Sequence, residues 1–151
     1  MGKASATVSV PGRTADAEAL WYDPHRWASW VDGFGHVLTL EGDWPNVGAR
    51  LVWQSPPGGR GRVMERVIAY ESRTGQTVEV EDAQISGRQQ VQFTPAHDHV
   101  DVTLSLTYVI KDRTIITPVL DLLFVRRAWN DALRRTVTRF ANERKAEIQF
   151  G

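Results

Sequence analysis

Polar side chains on otherwise apolar faces are the residues of this chain best suited to binding or catalysis. Glu65, Asp82 and Gln89 each continue an apolar face of a predicted strand, and Arg126 lies in the apolar arc of a predicted helix. A carboxyl group in an apolar cavity has a raised pKa, so Glu65 or Asp82 would act there as a general acid or base. Each of these residues could instead be solvated at an open sheet edge, and the sequence leaves both interpretations open.

Three environments are open to Arg126. With residues set 100° apart around the helix, it falls within about 60° of the centre of the apolar stripe. An unpaired guanidinium is too costly to bury there, so the side chain extends to the rim, pairs with Glu65 or Asp82, or contacts a ligand. We expect the last two together, with Arg126 beside a carboxylate at the polar end of an apolar pocket.

Two of the six tryptophans, Trp53 and Trp129, are expected to line a cavity, because aromatic faces suit flat apolar ligands. Core packing is the alternative for each, since a tryptophan buries a large area. Trp129 and Leu133 are expected to hold the core, so Trp129→Ala should lower the free energy of unfolding by about 3–5 kcal/mol; a loss below about 1 kcal/mol would mean that Trp129 lines an open cavity or solvent. The other residues predicted to line the cavity are Phe93, Leu104, Leu106, Tyr108, Leu122 and Leu133.

Two further motifs are interpreted as turns. His97-Asp98-His99 offers two imidazoles, but two ligands without a distant third make no metal site, and the flanking residues favour a hairpin turn. Gly58-Gly59-Arg60-Gly61 lacks the Lys-Ser/Thr of a phosphate-binding loop, and a strand rather than a helix follows it. We therefore expect no metal and no cofactor.

Length and composition indicate the number of domains, the kinds of partner and the location of the protein. The chain has 151 residues, which predicts a single domain over 1–151. Its 18 basic residues balance 18 acidic ones, so no overall field favours nucleic acid as a partner. It has no cysteine, which fits a cytoplasmic location. No apolar run is long enough for stable membrane insertion.

The elements that must position these residues are strands and two short helices in about the first three quarters of the chain and a long helix near its end. A strand over Ala4–Val10 is followed by two short helices, one over 15–22 and one that Asp23 caps and Pro24 begins. The long helix is predicted over Thr117–Lys145, with Thr117 as its cap. The other strands are predicted over Val37–Glu41, Ala49–Gln54, Arg62–Glu71, Thr77–Asp82, Arg88–Thr94 and Val100–Ile110. Segregated strands and helices indicate an α+β fold with an antiparallel sheet of about seven strands.

The stretch Asp23-Pro24-His25-Arg26-Trp27-Ala28-Ser29-Trp30 resembles the joint between the two short helices in the START-like (SRPBCC) superfamily. The strand before it, Val47-Gly48-Ala49 and the long helix fit the same pattern. The nearest subgroup is that of bacterial polyketide cyclase/dehydratase and lipid-transport proteins. The resemblance implies a helix-grip fold, in which a curved sheet wraps around the long helix and leaves a cavity for a small apolar molecule.

Three functions stay open, because the fold does not choose among them. The first is binding or transport of a small hydrophobic molecule, lipid- or polyketide-like. The second is a cofactor-independent cyclase/dehydratase, which would need Glu65, Asp82 or Tyr108 to face the cavity. The third is an interaction module or homodimer that uses an apolar patch formed by Leu120 and Phe124, with Leu123.

Overall fold

A computed structural model describes residues 1–111 and 118–150, apart from the side chains of Pro118, Asp121 and Leu122. The predicted cap Thr117 lies outside the described residues. The elements in chain order are β1 (Gly2–Pro11), α1 (Thr14–Trp21), the 3-10 helix α2 (Pro24–Ser29), β2 (His36–Glu41), β3 (Arg50–Gln54), β4 (Arg62–Glu71), β5 (Gly75–Glu81), β6 (Ile85–Pro95), β7 (His99–Ile110) and α3 (Arg126–Phe150). A turn of α-helix, Pro118–Leu120, and a π-helical turn, Asp121–Val125, precede α3.

One antiparallel sheet holds all seven strands, in the order β1-β7-β6-β5-β4-β3-β2. The strand alternation fixes its register, because a slip of one residue would turn every apolar side chain of a strand outward. In the pairing of β1 with β7, for example, Val8 lies opposite Val102 and Val10 opposite Val100. The predicted α+β fold, with a long C-terminal helix against a sheet of about seven strands, is confirmed.

The two short helices form an aromatic layer between the sheet and α3. The Asp23 side chain accepts a hydrogen bond of 3.1 Å from the His25 N–H, which confirms it as the cap of α2. The Trp27 indole donates to the Trp21 carbonyl at 2.8 Å and so fixes the joint between the helices. The Trp21 and Trp30 rings contact each other at a tilt of 42° with 4.6 Å between centroids, and both meet the Phe140 ring of α3 at 5.0 Å.

The long helix differs from its prediction at both ends. The regular α-helix begins at Arg126, after the π-helical turn, and continues to Phe150, five residues beyond Lys145. The apolar stripe is buried from Leu133 onward, whereas Val119 is 62% exposed. Burial of the stripe therefore starts about two turns into the helix, where the short helices begin to cover it. None of the helices described here is long and apolar enough to cross a membrane.

Candidate functional site

A cavity of about 580 Å³ lies between the inner face of the sheet and α3. Its volume falls within the range of small-molecule sites, roughly 300–1,000 Å³. Its sheet wall is formed by β3 to β7, its end by the tryptophans of α1 and α2 and by Trp30, and part of its rim by the loop between β3 and β4. The residues of the sheet wall are Trp53, Glu65, Gln76, Val78, Gln89, Val91 and Leu104.

The helix α3 presents different sides to the cavity and to β1. Relative to Trp129, Ala128 and Ala132 lie about 60–100° around the helix in one direction, and both line the cavity. Asn130 lies about 100° in the other direction, and its Oδ1 accepts a hydrogen bond of 3.1 Å from the backbone N–H of Ser5 in β1. Because alanine side chains are short, the cavity side of α3 leaves space that larger residues would fill.

Six of the twelve residues predicted to line a cavity do so. They are Trp53, Glu65, Gln89, Leu104, Trp129 and Leu133. The side chain of Leu122 lies outside the described part of the chain. The structure places the remaining five elsewhere: Asp82, Phe93, Leu106, Tyr108 and Arg126 are absent from the described lining.

Arg126 lies on the β1 side of α3 instead of facing the cavity. It is about 60° from Trp129 in the same direction as Asn130, and its Nη2 lies 3.5 Å from the Met1 carbonyl oxygen. The predicted stripe is divided between two neighbours: Val125, Trp129 and Leu133 line the cavity, whereas Arg126 contacts the start of β1. Apolar periodicity shows which arc of a helix is covered and does not show what covers it.

The three apolar residues outside the lining are covered by neighbouring side chains. Phe93 meets the rings of Trp21 and Tyr22 edge-on at 6.3 and 6.1 Å. Tyr108 is fully buried, 6.3 Å from the Trp129 ring, and Leu106 is 1% exposed in the same core. These residues belong to the packed core beside the cavity and do not form its surface.

Asp82 caps the turn between β5 and β6. Its Oδ1 accepts hydrogen bonds from the backbone N–H groups of Gln84 at 2.8 Å and Ile85 at 2.9 Å. Its Oδ2 accepts one of 2.9 Å from Nε of Arg60, which does line the cavity. Asp82 therefore acts on the site through Arg60.

Arg60 is the charged residue at the polar end of the cavity that the sequence interpretation missed. The glycines around it form the predicted turn, in which the Ser55 N–H donates to the Gly61 carbonyl at 2.8 Å. From this turn the Arg60 side chain reaches inward, and its guanidinium carbon lies 5.4 Å from the centroid of Trp53 and 4.8 Å from that of Trp129. A cation in a glycine-rich turn beside a tryptophan-bearing strand was the available signal.

Glu65 completes the polar end of the cavity. It is 8% exposed, and its Oε2 accepts a hydrogen bond of 2.8 Å from Nε1 of Trp53. Burial raises the pKa of Glu65, while the Trp53 hydrogen bond and the positive charge of Arg60 act in the opposite direction. Because desolvation is the largest of these effects, the uncharged carboxylic acid is favoured relative to a solvated glutamate.

The rim on the α3 side is held by ion pairs. Both carboxylate oxygens of Asp32 accept hydrogen bonds of 3.0 Å from Arg135, and Arg139 adds one of 3.3 Å. The Asp32 N–H donates to the Thr136 hydroxyl at 3.0 Å.

Next to this rim, the expected apolar patch is exposed: Leu120 by 39%, Leu123 by 53% and Phe124 by 64%.

The histidine motif lies away from the cavity, at the turn between β6 and β7. His99 Nδ1 lies 2.9 Å from Asp98 Oδ1, and this contact raises the pKa of His99 and lowers that of Asp98. Within the ranges 1–111 and 118–150, no group of three or more histidine, aspartate or glutamate side chains is placed to hold a metal ion.

Residues 1–144 match the model of a protein family described as polyketide cyclase/dehydrase and lipid transport. No curated protein matches the chain.

Solved structures share the fold at low sequence identity. A START superfamily protein from Mycobacterium smegmatis matches with a TM-score of 0.74 and 14% identity, over 96% of this chain and 98% of that one. Major latex-like protein 151 from Panax ginseng matches with a TM-score of 0.71 and 17% identity, over 95% and 97%. Truncated norcoclaurine synthase from Thalictrum flavum matches with a TM-score of 0.67 and 14% identity, over 93% and 91%.

Proposed function

We propose that this chain is a cytoplasmic protein that binds or carries a small hydrophobic molecule between its sheet and α3. The chain belongs to the polyketide cyclase/dehydrase and lipid transport family, which supports this proposal. The observation that carries this proposal is the cavity of about 580 Å³, whose walls combine tryptophan rings with the short side chains of Ala128 and Ala132. Such walls remove apolar ligand surface from water, which is worth about 25 cal/mol per Å².

A fluorescent neutral probe, N-phenyl-1-naphthylamine, tests the proposal. Its emission rises when it leaves water, so a titration measures its affinity for the cavity. We expect saturable binding by the wild type and loss of binding in Ala132→Phe, since the added ring occupies the cavity beside Trp129. Asn142→Phe, which places the same ring at an exposed position of α3, is the matched control.

The outcomes separate the cavity from the surface. Binding that disappears in Ala132→Phe and persists in Asn142→Phe supports the proposal. Binding that persists in both variants places the probe on the surface and overturns it, as does a wild type that does not bind. Urea unfolding of both variants verifies that each one folds.

Glu65 favours a second candidate function, a cofactor-independent cyclase/dehydratase. In its ionised form, buried Glu65 is a stronger base than a solvated glutamate, so it can take a proton from the carbon next to a ketone, while the Arg60 guanidinium stabilises the resulting enolate oxygen. Neither Asp82 nor Tyr108 lines the cavity, so Glu65 is the one of the three expected acid–base residues that this mechanism retains.

Hydrogen–deuterium exchange tests this second function. Proton NMR would follow exchange at the carbon between the two carbonyls of benzoylacetone, with and without protein. We expect acceleration by the wild type, loss in Glu65→Gln and no change in Glu79→Gln, whose carboxylate lies on the outer face of β5 in an exposed pair with Arg66. Exchange no faster than in buffer alone would leave binding as the proposed function.

A further inference from the structure

The two terminal nitrogens of Arg60 are available to a ligand. Its Nε donates to Asp82, but among the described residues neither Nη1 nor Nη2 has a hydrogen-bond partner. The side chain is 21% exposed, and Arg60 lines the cavity. A guanidinium has five N–H donors, so the four on Nη1 and Nη2 face either solvent or the cavity contents.

The position of the guanidinium is fixed by three neighbours. Trp53 and Trp129 lie within 5.4 and 4.8 Å of its carbon, and Asp82 holds its Nε at 2.9 Å. Asp82 is in turn held by two backbone N–H groups at the turn between β5 and β6. An arginine held by its Nε and by two rings is preorganised, so little conformational entropy is lost when its outer edge binds an anion.

We infer that the ligand of this cavity carries a carboxylate, which Arg60 binds through Nη1 and Nη2, joined to an apolar body that lies against Leu104 and Leu133. The inference rests on the proposed function and specifies the class of its ligand. Two parallel N–H donors match the two oxygens of a carboxylate, which a single carbonyl oxygen cannot do.

The charges around the cavity agree with an anionic ligand. Of the lining residues, Arg135 shares the single carboxylate of Asp32 with Arg139, so this rim holds two guanidinium groups for one carboxylate. Burial raises the pKa of Glu65, so an anion beside it meets less negative charge than it would beside a solvated glutamate. Gln84 and Gln89 also line the cavity, and their amide groups can donate further hydrogen bonds to an oxygen ligand.

Calorimetric titration with a pair of probes tests the inference. The probes are 2-naphthoate and 2-acetylnaphthalene, which share the ring system and differ in carrying a carboxylate or a neutral ketone. We expect the wild type to bind 2-naphthoate about 10- to 100-fold more tightly, as charge-assisted hydrogen bonds do. Arg60→Met should remove this preference while 2-acetylnaphthalene still binds.

Arg66→Met is the matched control, since it removes one arginine charge from the outer face of β4, where the side chain is 53% exposed. It should keep the wild-type preference. Arg60→Met leaves buried Asp82 without its cation, so Arg60→Lys replaces it if that variant does not fold. The lysine keeps the charge and loses the fork, so the preference should fall severalfold.

The remaining outcomes overturn the inference in distinguishable ways. If the wild type binds both probes equally, or prefers the ketone, the carboxylate is excluded and the proposed function stands. An unchanged preference in Arg60→Met assigns the anion to another residue and removes Arg60 from the site. If neither probe binds while N-phenyl-1-naphthylamine does, the carboxylate class fails; if none of the three binds, the proposed function fails.

Discussion

Truncating Trp129 and Phe140 to alanine should separate the cavity side of α3 from its packed side. Phe140 is 0% exposed, and its ring meets those of Trp21 and Trp30 at 5.0 Å. Trp129 is half-buried: its ring contacts Arg60 and Tyr108, and it also lines the cavity. Two large aromatic residues on one helix therefore differ in how many packed neighbours each would lose.

The expected magnitudes follow from these contacts. Phe140→Ala should cost about 4–5 kcal/mol of unfolding free energy, the upper part of the range for a buried phenylalanine, because two aromatic pairs are lost. Trp129→Ala removes one cation–π contact, worth about 0.5–2 kcal/mol, and the contact with the Tyr108 ring, but little packing on its cavity side. We expect a cost of about 1–2 kcal/mol, below the 3–5 kcal/mol for a core tryptophan.

Urea unfolding monitored by far-UV circular dichroism measures both costs, provided that the slope with denaturant is unchanged. The comparison within one helix removes differences of helix propensity, since both substitutions create alanine. If Trp129→Ala costs as much as Phe140→Ala, Trp129 is packed on all sides and the cavity described beside it does not exist in solution.

Three further substitutions test separate parts of the structure. For Glu65→Gln, urea unfolding across a pH series should show stability rising relative to wild type as pH increases above 4.5. Burial raises the pKa of Glu65 in the folded state above 4.5, so between these two pKa values the unfolded wild type releases a proton that the folded wild type retains. The wild type therefore loses stability as pH rises through this range, by at most about 1.4 kcal/mol per pH unit, whereas Glu65→Gln has no such proton to lose. A difference in stability that does not change with pH would contradict this. Glu18→Ala should lower the free energy of unfolding by about 1–3 kcal/mol, because Glu18 is 4% exposed and accepts hydrogen bonds from the Arg73 backbone and guanidinium. Thermal or urea unfolding measures this loss, and Glu71→Ala, at an exposed position, is the control that should leave stability unchanged. Phe124→Asp should change the free energy of unfolding by no more than about 0.5 kcal/mol, because the ring is 64% exposed. The variant should nevertheless alter the uptake of the fluorescent probe or the sedimentation of the protein. If it unfolds instead, Phe124 is part of the core.

Most of the fold could be predicted because alternation and turn residues specify it locally. The prediction of Arg62–Glu71 coincides with β4, and that of Val100–Ile110 is one residue shorter than β7. The prediction of Ala4–Val10 was short at both ends of β1, since pairing with β7 extends the strand through Gly2 and Pro11. Strand pairing is a tertiary interaction, and single-strand patterns do not contain it.

The cavity could be predicted only in part, because an empty space has no residue pattern of its own. Apolar alternation identified four of the seven sheet-wall residues, among them Trp53 and Glu65. Ala128 and Ala132 leave space because their side chains are short, and nothing in the sequence pattern indicated that they line a cavity. Arg126 was predicted at the polar end of the cavity, but it lies against the start of β1, and the arginine that lines the cavity beside a carboxylate is Arg60, which extends from a turn. Turn composition predicts backbone shape and not where a long side chain extends.

The two sides of α3 give this protein room for evolutionary change. Substitutions at Ala128 and Ala132 would reshape the ligand space, while the hydrogen bond of Asn130 to β1 and the aromatic contacts of Phe140 stay intact. The ligand can therefore change by stepwise substitutions that each leave the protein stably folded. Descendants of one such ancestor would share the helix–sheet contacts and diverge at the cavity surface, so their ligands would differ more than their folds.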